Sequence, residues 1–120
     1  MISRWCLALI LALFPLTSAA ESVATAQHAV LRGLDRLSGE LEEFELEMGQ
    51  PYSIGELVVT VVQCRYPVDN PAGDAYGLVV IEDNRVNEPV FTGWMVASSP
   101  ALNALDHMRY DVWLLRCKTS

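Results

Sequence analysis

The fold is decided by one apolar stretch in the middle of the chain, which reads Leu57-Val58-Val59-Thr60-Val61-Val62-Gln63-Cys64. The stretch is rich in β-branched residues, which pack well on a pleated sheet and lose rotamer freedom in a helix. It has no polar alternation, and an apolar run of this kind predicts a strand that is covered on both faces. Gly55 and the loop that begins at Pro67 mark the two ends of the strand.

Upstream of this stretch, apolar and acidic residues alternate with a period of two. The segment reads Glu43-Phe44-Glu45-Leu46-Glu47-Met48. Alternation of this kind is typical of a half-buried strand with one face in water. We expect the wet face, with Glu43, Glu45 and Glu47, to be a candidate surface for a partner protein.

Further strands follow from the same reasoning. The segments 77–81 and 90–96 are apolar and β-branched, and 110–117 carries alternating large apolar residues. The segment 30–37 alternates apolar residues with arginine, but its apolar spacing also fits a helix; Gly33 and the segments downstream favour a strand. Polar connections that contain proline or glycine separate them, among them 67–74 and 83–89.

One short helix is expected between the last two strands. Ser99 can cap the free N–H groups of a first turn, and Pro100 suits the first helical position, where its missing N–H does no harm. Leu102 and Leu105 would dock this helix on the sheet. The sequence therefore predicts an all-β fold, a small antiparallel β-sandwich or partly open barrel with one short helix near 99–107.

Composition limits the size and the class of the protein. The chain has 120 residues, of which 52% are hydrophobic, and a net charge of −7. Its length suits one domain, and its apolar fraction is too high for a disordered chain. Only 8 residues are lysine or arginine, and because binding to phosphates needs such cations, we expect no nucleic-acid partner.

The first 20 residues have the pattern of a secretory signal peptide. Arg4 precedes an apolar run from Trp5 to Leu16, and small residues end at Ala20. The apolar run is shorter than the ~20 residues that a membrane-spanning helix needs, so we expect cleavage and no stable transmembrane anchor afterwards. The predicted organisation is a signal peptide at 1–20, a flexible leader at 21–28 and a single β domain at 29–118, in the periplasm.

Two cysteines remain after the predicted cleavage, Cys64 and Cys117, which are 53 positions apart. An even pair in an exported chain favours a disulfide. A redox pair or thiolate metal site is the alternative, but the chain has no C-x-x-C motif. Closing a loop of this length contributes ~4 kcal/mol to stability in the chain-entropy model.

Several of these segments together resemble an exported bacterial family, the domain-of-unknown-function family numbered 2155. The segments that carry the resemblance are Val30 to Asp35, Gly49-Gln50-Pro51, Cys64 with Pro67, Phe91 to Met95, Ala97 to Leu102, and Tyr110 to Trp113 ending at Cys117. Val96 and Met108 depart from the family pattern. The resemblance implies a small envelope protein of Gram-negative bacteria and implies no activity.

A serine-type hydrolase is one alternative function. Ser98 or Ser99, His107, and Asp106 or Asp111 include the residue types of a nucleophilic triad. No Gly-x-Ser-x-Gly motif surrounds the serines, and a serine before proline at a helix start is typically a cap. We therefore expect Ser99 and Pro100 to have a structural role.

A small-ligand-binding module that uses Trp94 or Trp113 is a second alternative. In a domain of this size such aromatic residues more often fill the core. Copper binding by His107 and methionines is weaker still, since methionines on apolar strand faces ordinarily fill space. We expect neither a cofactor nor a metal.

The function that the sequence favours is that of a non-enzymatic, disulfide-stapled interaction or assembly module of the bacterial envelope. The identity of its protein partner is open.

Overall fold

The computed structural model describes residues 22–119 as a β-sandwich, which confirms the predicted fold class. It has eight strands, separated by turns and by one 3₁₀ turn at Pro100–Leu102. The strands are β1 Val23–Ala26, β2 His28–Asp35, β3 Leu41–Glu47, β4 Tyr52–Ile54, β5 Leu57–Pro67, β6 Tyr76–Asp83, β7 Pro89–Val96 and β8 Tyr110–Lys118. The predicted signal peptide at 1–20 lies outside the described residues.

The strands form two sheets in which every neighbouring pair is antiparallel. The larger sheet has the order β1-β5-β6-β7, and β4 pairs with the other half of the β5 edge. The smaller sheet has the order β3-β2-β8. The sheets pack face to face without closing into a barrel.

The core lies between the two sheets and follows the alternation of each strand. Successive strand residues point to opposite faces, so every second residue of β5, β6 and β8 points inward. The largest fully buried side chains come from these strands and from β2: Leu31, Leu57, Ile81, Leu114, Val59, Val61, Val79 and Val112.

A disulfide between Cys64 and Cys117 joins β5 of the larger sheet to β8 of the smaller sheet. The two Cα atoms are 5.7 Å apart, and the Cys64 side chain is fully buried. This is the pairing that the sequence predicts. Because the bridge joins the two sheets, it limits the distance between them in the folded protein. It also limits the conformations of the unfolded chain between residues 64 and 117.

The prediction of a flexible leader at 21–28 is wrong for most of that segment. Val23–Ala26 forms β1, which pairs with the end of β5, and His28 already begins β2. Ala26 is buried opposite Cys64. The sequence does not predict this strand, because its residues are mostly small and show no clear apolar alternation. Its position is set by backbone hydrogen bonds to the free edge of β5.

The helix expected near 99–107 is a single 3₁₀ turn. Ser99 occupies the N-cap position and Pro100 the first position, but the Ser99 side chain makes no capping hydrogen bond. Leu105 is buried as predicted, whereas Leu102 is exposed. A one-turn segment has too few backbone hydrogen bonds to sustain a helix, and side chains fix the rest of this connection, as described below.

Candidate functional site

His107 lies at the centre of a buried polar network at one end of the sandwich. Its Nε2 atom is 3.0 Å from Oδ2 of Asp83, and its Nδ1 atom accepts the backbone N–H groups of Arg109 and Tyr110, each at 3.1 Å. Both ring nitrogens therefore have partners within the chain. These contacts hold the connection that precedes β8 in place of the predicted helix.

Asp83 is the buried anion of this network. Arg85 donates to both carboxylate oxygens, with Nε 3.0 Å from Oδ1 and Nη2 2.8 Å from Oδ2. The Arg85 guanidinium, followed by His107 and the Arg85 backbone N–H, holds the pKa of Asp83 well below its usual range. Burial opposes this effect and is the smaller influence.

A second ion pair closes the same end of the sandwich from the smaller sheet. Arg109 donates to both oxygens of Asp35, with Nε and Nη2 at 3.0 and 2.9 Å. This bidentate contact lowers the pKa of Asp35 to about 2. The network thus joins the ends of β2, β6 and β8, and its geometry is that of a structural clamp.

The serines and the histidine of the alternative hydrolase, Ser98, Ser99 and His107, do not form hydrogen bonds with one another in the described part of the chain. Ser98 donates from Oγ to Oδ2 of Asp74 at 2.7 Å, and within residues 22–119 no hydrogen bond joins Ser98 or Ser99 to His107. A groove of about 490 Å³ lies beside His107, and its described lining contains no serine, threonine or cysteine. Ser98 and Asp74 instead tie the start of β6 to the end of β7.

Three of the four glutamates of β3, Glu43, Glu45 and Glu47, point outward, as the alternation predicts, and two of these three have ion-pair partners in the chain. Glu43 pairs with Arg116 at 3.3 Å and Glu45 with Lys118 at 3.1 Å. Because β2 separates β3 from β8, these pairs cross above Val30 of β2. Glu47 has no ion pair within 4.0 Å in the described part of the chain.

We call this outer surface of the smaller sheet the charged face. It is made of Arg32, Glu43, Glu45, Glu47, Arg116 and Lys118, with Val30 and Trp113 between them and Leu34, Leu41 and Asp111 at one end. Charged side chains on the edge strand β3 also discourage pairing with other strands. The use of Glu43, Glu45 and Glu47 as a partner surface stays a prediction.

Trp94 and Trp113 lie on opposite outer faces of the sandwich. Trp94 is opposite Leu78 on the outside of the larger sheet, and Trp113 is opposite Arg32 on the outside of the smaller sheet. The register of β8 shifts between its pairings with Val30 and Leu31, so Trp113 points outward whereas Cys117 points inward to Cys64. The two tryptophans therefore cannot line one pocket.

The outer surface of the larger sheet is unlike the charged face, and we call it the apolar face. Its outward residues are Val58, Thr60, Gln63, Leu78, Val80, Thr92, Trp94 and Val96, with Arg65 and Tyr76 at one end and Glu82 at the other. Trp94 is 38% exposed, and Leu78 and Val80 are half-buried. The prediction that β5 is covered on both faces is thus wrong for its outer face.

The sequence contained a signal for this surface. Strands 57–64 and 77–81 are apolar on both faces, and residues 22–119 form two layers, so each of these strands has only one face in the core between them. A strand that is apolar on both sides in a two-layer protein predicts an outer face that is free for contact with another molecule.

Residues 22–119 contain neither a cluster of metal-binding side chains nor a membrane-spanning helix. The side chains of His, Cys, Asp and Glu form no group of three or more that could hold a metal ion. No helix in this part of the chain has the length and apolar character needed to cross a membrane.

Comparison with known proteins gives a family and no activity. The family described as "Uncharacterized protein conserved in bacteria" (DUF2155) matches residues 29–117. "Uncharacterized protein RP359" of Rickettsia prowazekii (strain Madrid E) is 28% identical over 87 residues, which are 70% of this chain and 56% of that relative. The match thus spans about half the length of the relative, and no solved structure matches the chain. The protein belongs to the DUF2155 family of bacterial proteins.

Proposed function

We propose that this protein is an exported bacterial envelope protein, without enzymatic activity, that acts as an interaction or assembly module through its apolar face. The observation that carries the proposal is the apolar face itself, where Leu78, Val80 and Trp94 lie on adjacent strands and stay partly open to solvent. Large apolar patches on the surface of a folded domain mark contact sites for other molecules. Contact with another protein chain would remove this surface from water.

The proposed export has two sources of support. Residues 1–20 have the charge, apolar run and small-residue end of a signal peptide. The disulfide between Cys64 and Cys117 is of a kind that persists in oxidising compartments such as the periplasm.

A serine hydrolase based on Ser99 and His107 has less support from the geometry. A nucleophile needs a hydrogen bond to its base, whereas both ring nitrogens of His107 are held by Asp83 and the backbone. A small-ligand module has less support too, because the groove at Trp94 is an open depression of about 350 Å³ on the sheet surface.

Site-specific photo-crosslinking in living cells tests which face makes contact. The full chain would carry p-benzoylphenylalanine in place of Val80 or Thr92 on the apolar face, and in place of Glu45 on the charged face as the matched control. We expect protein adducts from the first two positions and few from the third. Absence of adducts at both Val80 and Thr92, or equal yields at all three positions, would contradict the proposal.

Mass spectrometry of the protein from envelope fractions tests its export separately. We expect a chain that begins at Glu21 and a Cys64–Cys117 linked peptide under non-reducing alkylation. A chain that retains residues 1–20, or that has two freely alkylated thiols, would contradict export to an oxidising compartment.

A further inference from the structure

The apolar face carries one cation and one anion, and both lack an ion-pair partner. Arg65 and Glu82 are its charged residues, and neither has an opposite charge within 4.0 Å among residues 22–119. Five other cations of this part of the chain are paired: Arg36, Arg85, Arg109, Arg116 and Lys118. Of the seven lysine and arginine residues in this part of the chain, Arg65 and Arg32 are the two without a carboxylate within 4.0 Å, so an unpaired cation is unusual here, whereas an unpaired acid such as Glu82 is common in a protein with a net charge of −7.

The guanidinium of Arg65 is held in a fixed place without a carboxylate. It lies 5.0 Å from the centre of the Trp94 ring, and its Nη2 donates to Oε1 of Gln63 at 2.7 Å. Arg65 also lines the open groove with Val23, Tyr76 and Val96. A half-buried guanidinium among apolar groups gains strongly from a carboxylate that arrives with its own apolar surroundings, because water is excluded from the pair.

The positions of the two charges make the face complementary to itself. Arg65 is opposite Tyr76 at the start of β6, and Glu82 lies near the end of the same strand. Tyr76 and Glu82 are six positions apart, which corresponds to about 20 Å along a strand. Between them the outward residues of β6 are Leu78 and Val80, which carry no charge.

Two copies can be related by a twofold axis that lies in the plane between their apolar faces and crosses the middle of β6 at a right angle to the strand. Rotation about this axis stacks the two apolar faces and places Arg65 of each copy near Glu82 of the other. Leu78 and Val80 of the two copies then meet around the axis. Each copy supplies the charge that the other lacks, which is the defining property of an isologous interface.

We propose that the apolar face binds a second copy of this chain, with Arg65 of each copy paired to Glu82 of the other. This inference rests on the proposed function and specifies the contacting chain. A different protein would need to bring a carboxylate and a cation at matched spacing on an apolar surface, whereas the chain itself has both.

Charge exchange in the purified mature protein tests this pairing. We would measure the dimer dissociation constant by analytical ultracentrifugation for the wild type, Arg65→Glu, Glu82→Arg and the double exchange. We expect each single exchange to weaken the dimer by about tenfold or more, because like charges then meet. The double exchange restores both pairs and should return the constant to within about threefold of the wild type.

The matched control is Arg32→Glu on the charged face, because Arg32 also lacks an ion pair within 4.0 Å in the described residues. We expect this variant to leave the dimer constant unchanged. Circular dichroism and thermal melts of every variant separate loss of association from loss of folding.

The outcomes distinguish the inference from the proposed function. The inference is overturned if the wild-type protein stays monomeric, or if neither single exchange changes the dimer dissociation constant, because the dimer would then use other contacts. If the positions of Val80 and Thr92 then crosslink a different protein in cells, the interaction module stands without self-association. If they crosslink nothing, both proposals fail.

Discussion

On the smaller sheet, charged side chains of the neighbouring strands cover the outward side chain of Val30 on the central strand β2. On the larger sheet, the outward side chains of the central strand β6 stay partly exposed to solvent. On the charged face, the pairs Glu43–Arg116 and Glu45–Lys118 cross β2, and Val30 beneath them is only 4% exposed. On the apolar face, Val80 has a comparable place on a central strand and is half-buried.

The difference shows two ways in which a thin sandwich treats an outer sheet face. Long charged side chains cover apolar groups with their aliphatic stems while their charged ends stay in water. The apolar face has short β-branched residues at most of the equivalent positions, and these cannot reach across a neighbouring strand. This contrast supports a role for the apolar face in contact with another chain.

The two faces belong to two sheets that the Cys64–Cys117 disulfide joins. Loss of this bridge should have the largest effect on the stability of the sandwich. Replacement of Cys64 and Cys117 by alanine should lower the free energy of unfolding by ~4 kcal/mol, because the unfolded chain loses a long closed loop. Urea unfolding of the oxidised wild type and the variant measures the difference. Wild-type protein kept in reductant is the control and should match the variant. A loss below ~1 kcal/mol would show that the two sheets hold together without the bridge.

Replacement of Asp83 by asparagine should have the next largest effect, since it removes the anion shared by Arg85 and His107. The folded-state pKa values of Asp83 and Asp35 lie below 3.8, the ordinary value for an aspartate in an unfolded chain, so these groups stabilise the fold fully at neutral pH. Their contribution is lost as the pH falls below 3.8 and through about 2, the folded-state value for Asp35.

Urea unfolding from pH 7 down to pH 2 checks this behaviour. We expect Asp83→Asn to be clearly less stable than the wild type at pH 7, with a difference that narrows as the pH approaches 2. The control is Glu47→Gln, which removes an anion on the charged face that has no ion pair among residues 22–119. A difference that stays constant with pH would mean that the Asp83 charge does not matter to the clamp.

The sequence predicts those features that depend on local alternation or on composition. Alternation places Phe44 and Leu46 inside and Glu43 and Glu45 outside, and the two cysteines that remain after the predicted cleavage predict the bridge. Both inferences need only the neighbours of each residue and the physics of burial.

The remaining features depend on which segments meet in space. Asp83 and His107 are 24 positions apart, and no local pattern connects them. The strand β1 forms because β5 is long enough to offer an edge to two short strands, β1 and β4. An apolar residue such as Val80 signals burial, but the sequence does not say whether its cover comes from the same chain or from another.

Truncation of one valine on each face compares how much stability the burial of each side chain contributes. Val30→Ala should cost about 2 kcal/mol, because the side chain is buried under the ion pairs and two methyl groups leave a void. Val80→Ala should cost about 1 kcal/mol or less in the monomer, since its side chain is already partly exposed to solvent. Thermal and urea unfolding at low protein concentration give both values. Equal losses would remove the distinction between the two faces.

The smallest expected effect concerns the ion pairs that form the cover. A double-mutant cycle of Glu43→Gln and Arg116→Gln should give a coupling of about 0.5 kcal/mol at low salt, because both side chains are largely exposed. The coupling should fall in 1 M salt, where the screening length is about 3 Å. A cycle of Arg65→Gln and Glu82→Gln in the monomer is the control, and its coupling should be near zero.

If the Glu43–Arg116 coupling were also zero while Val30→Ala still cost about 2 kcal/mol, the aliphatic stems of these side chains, and not their charges, would shield Val30 from water. The charged face would then differ from the apolar face in the length of its side chains more than in their charge.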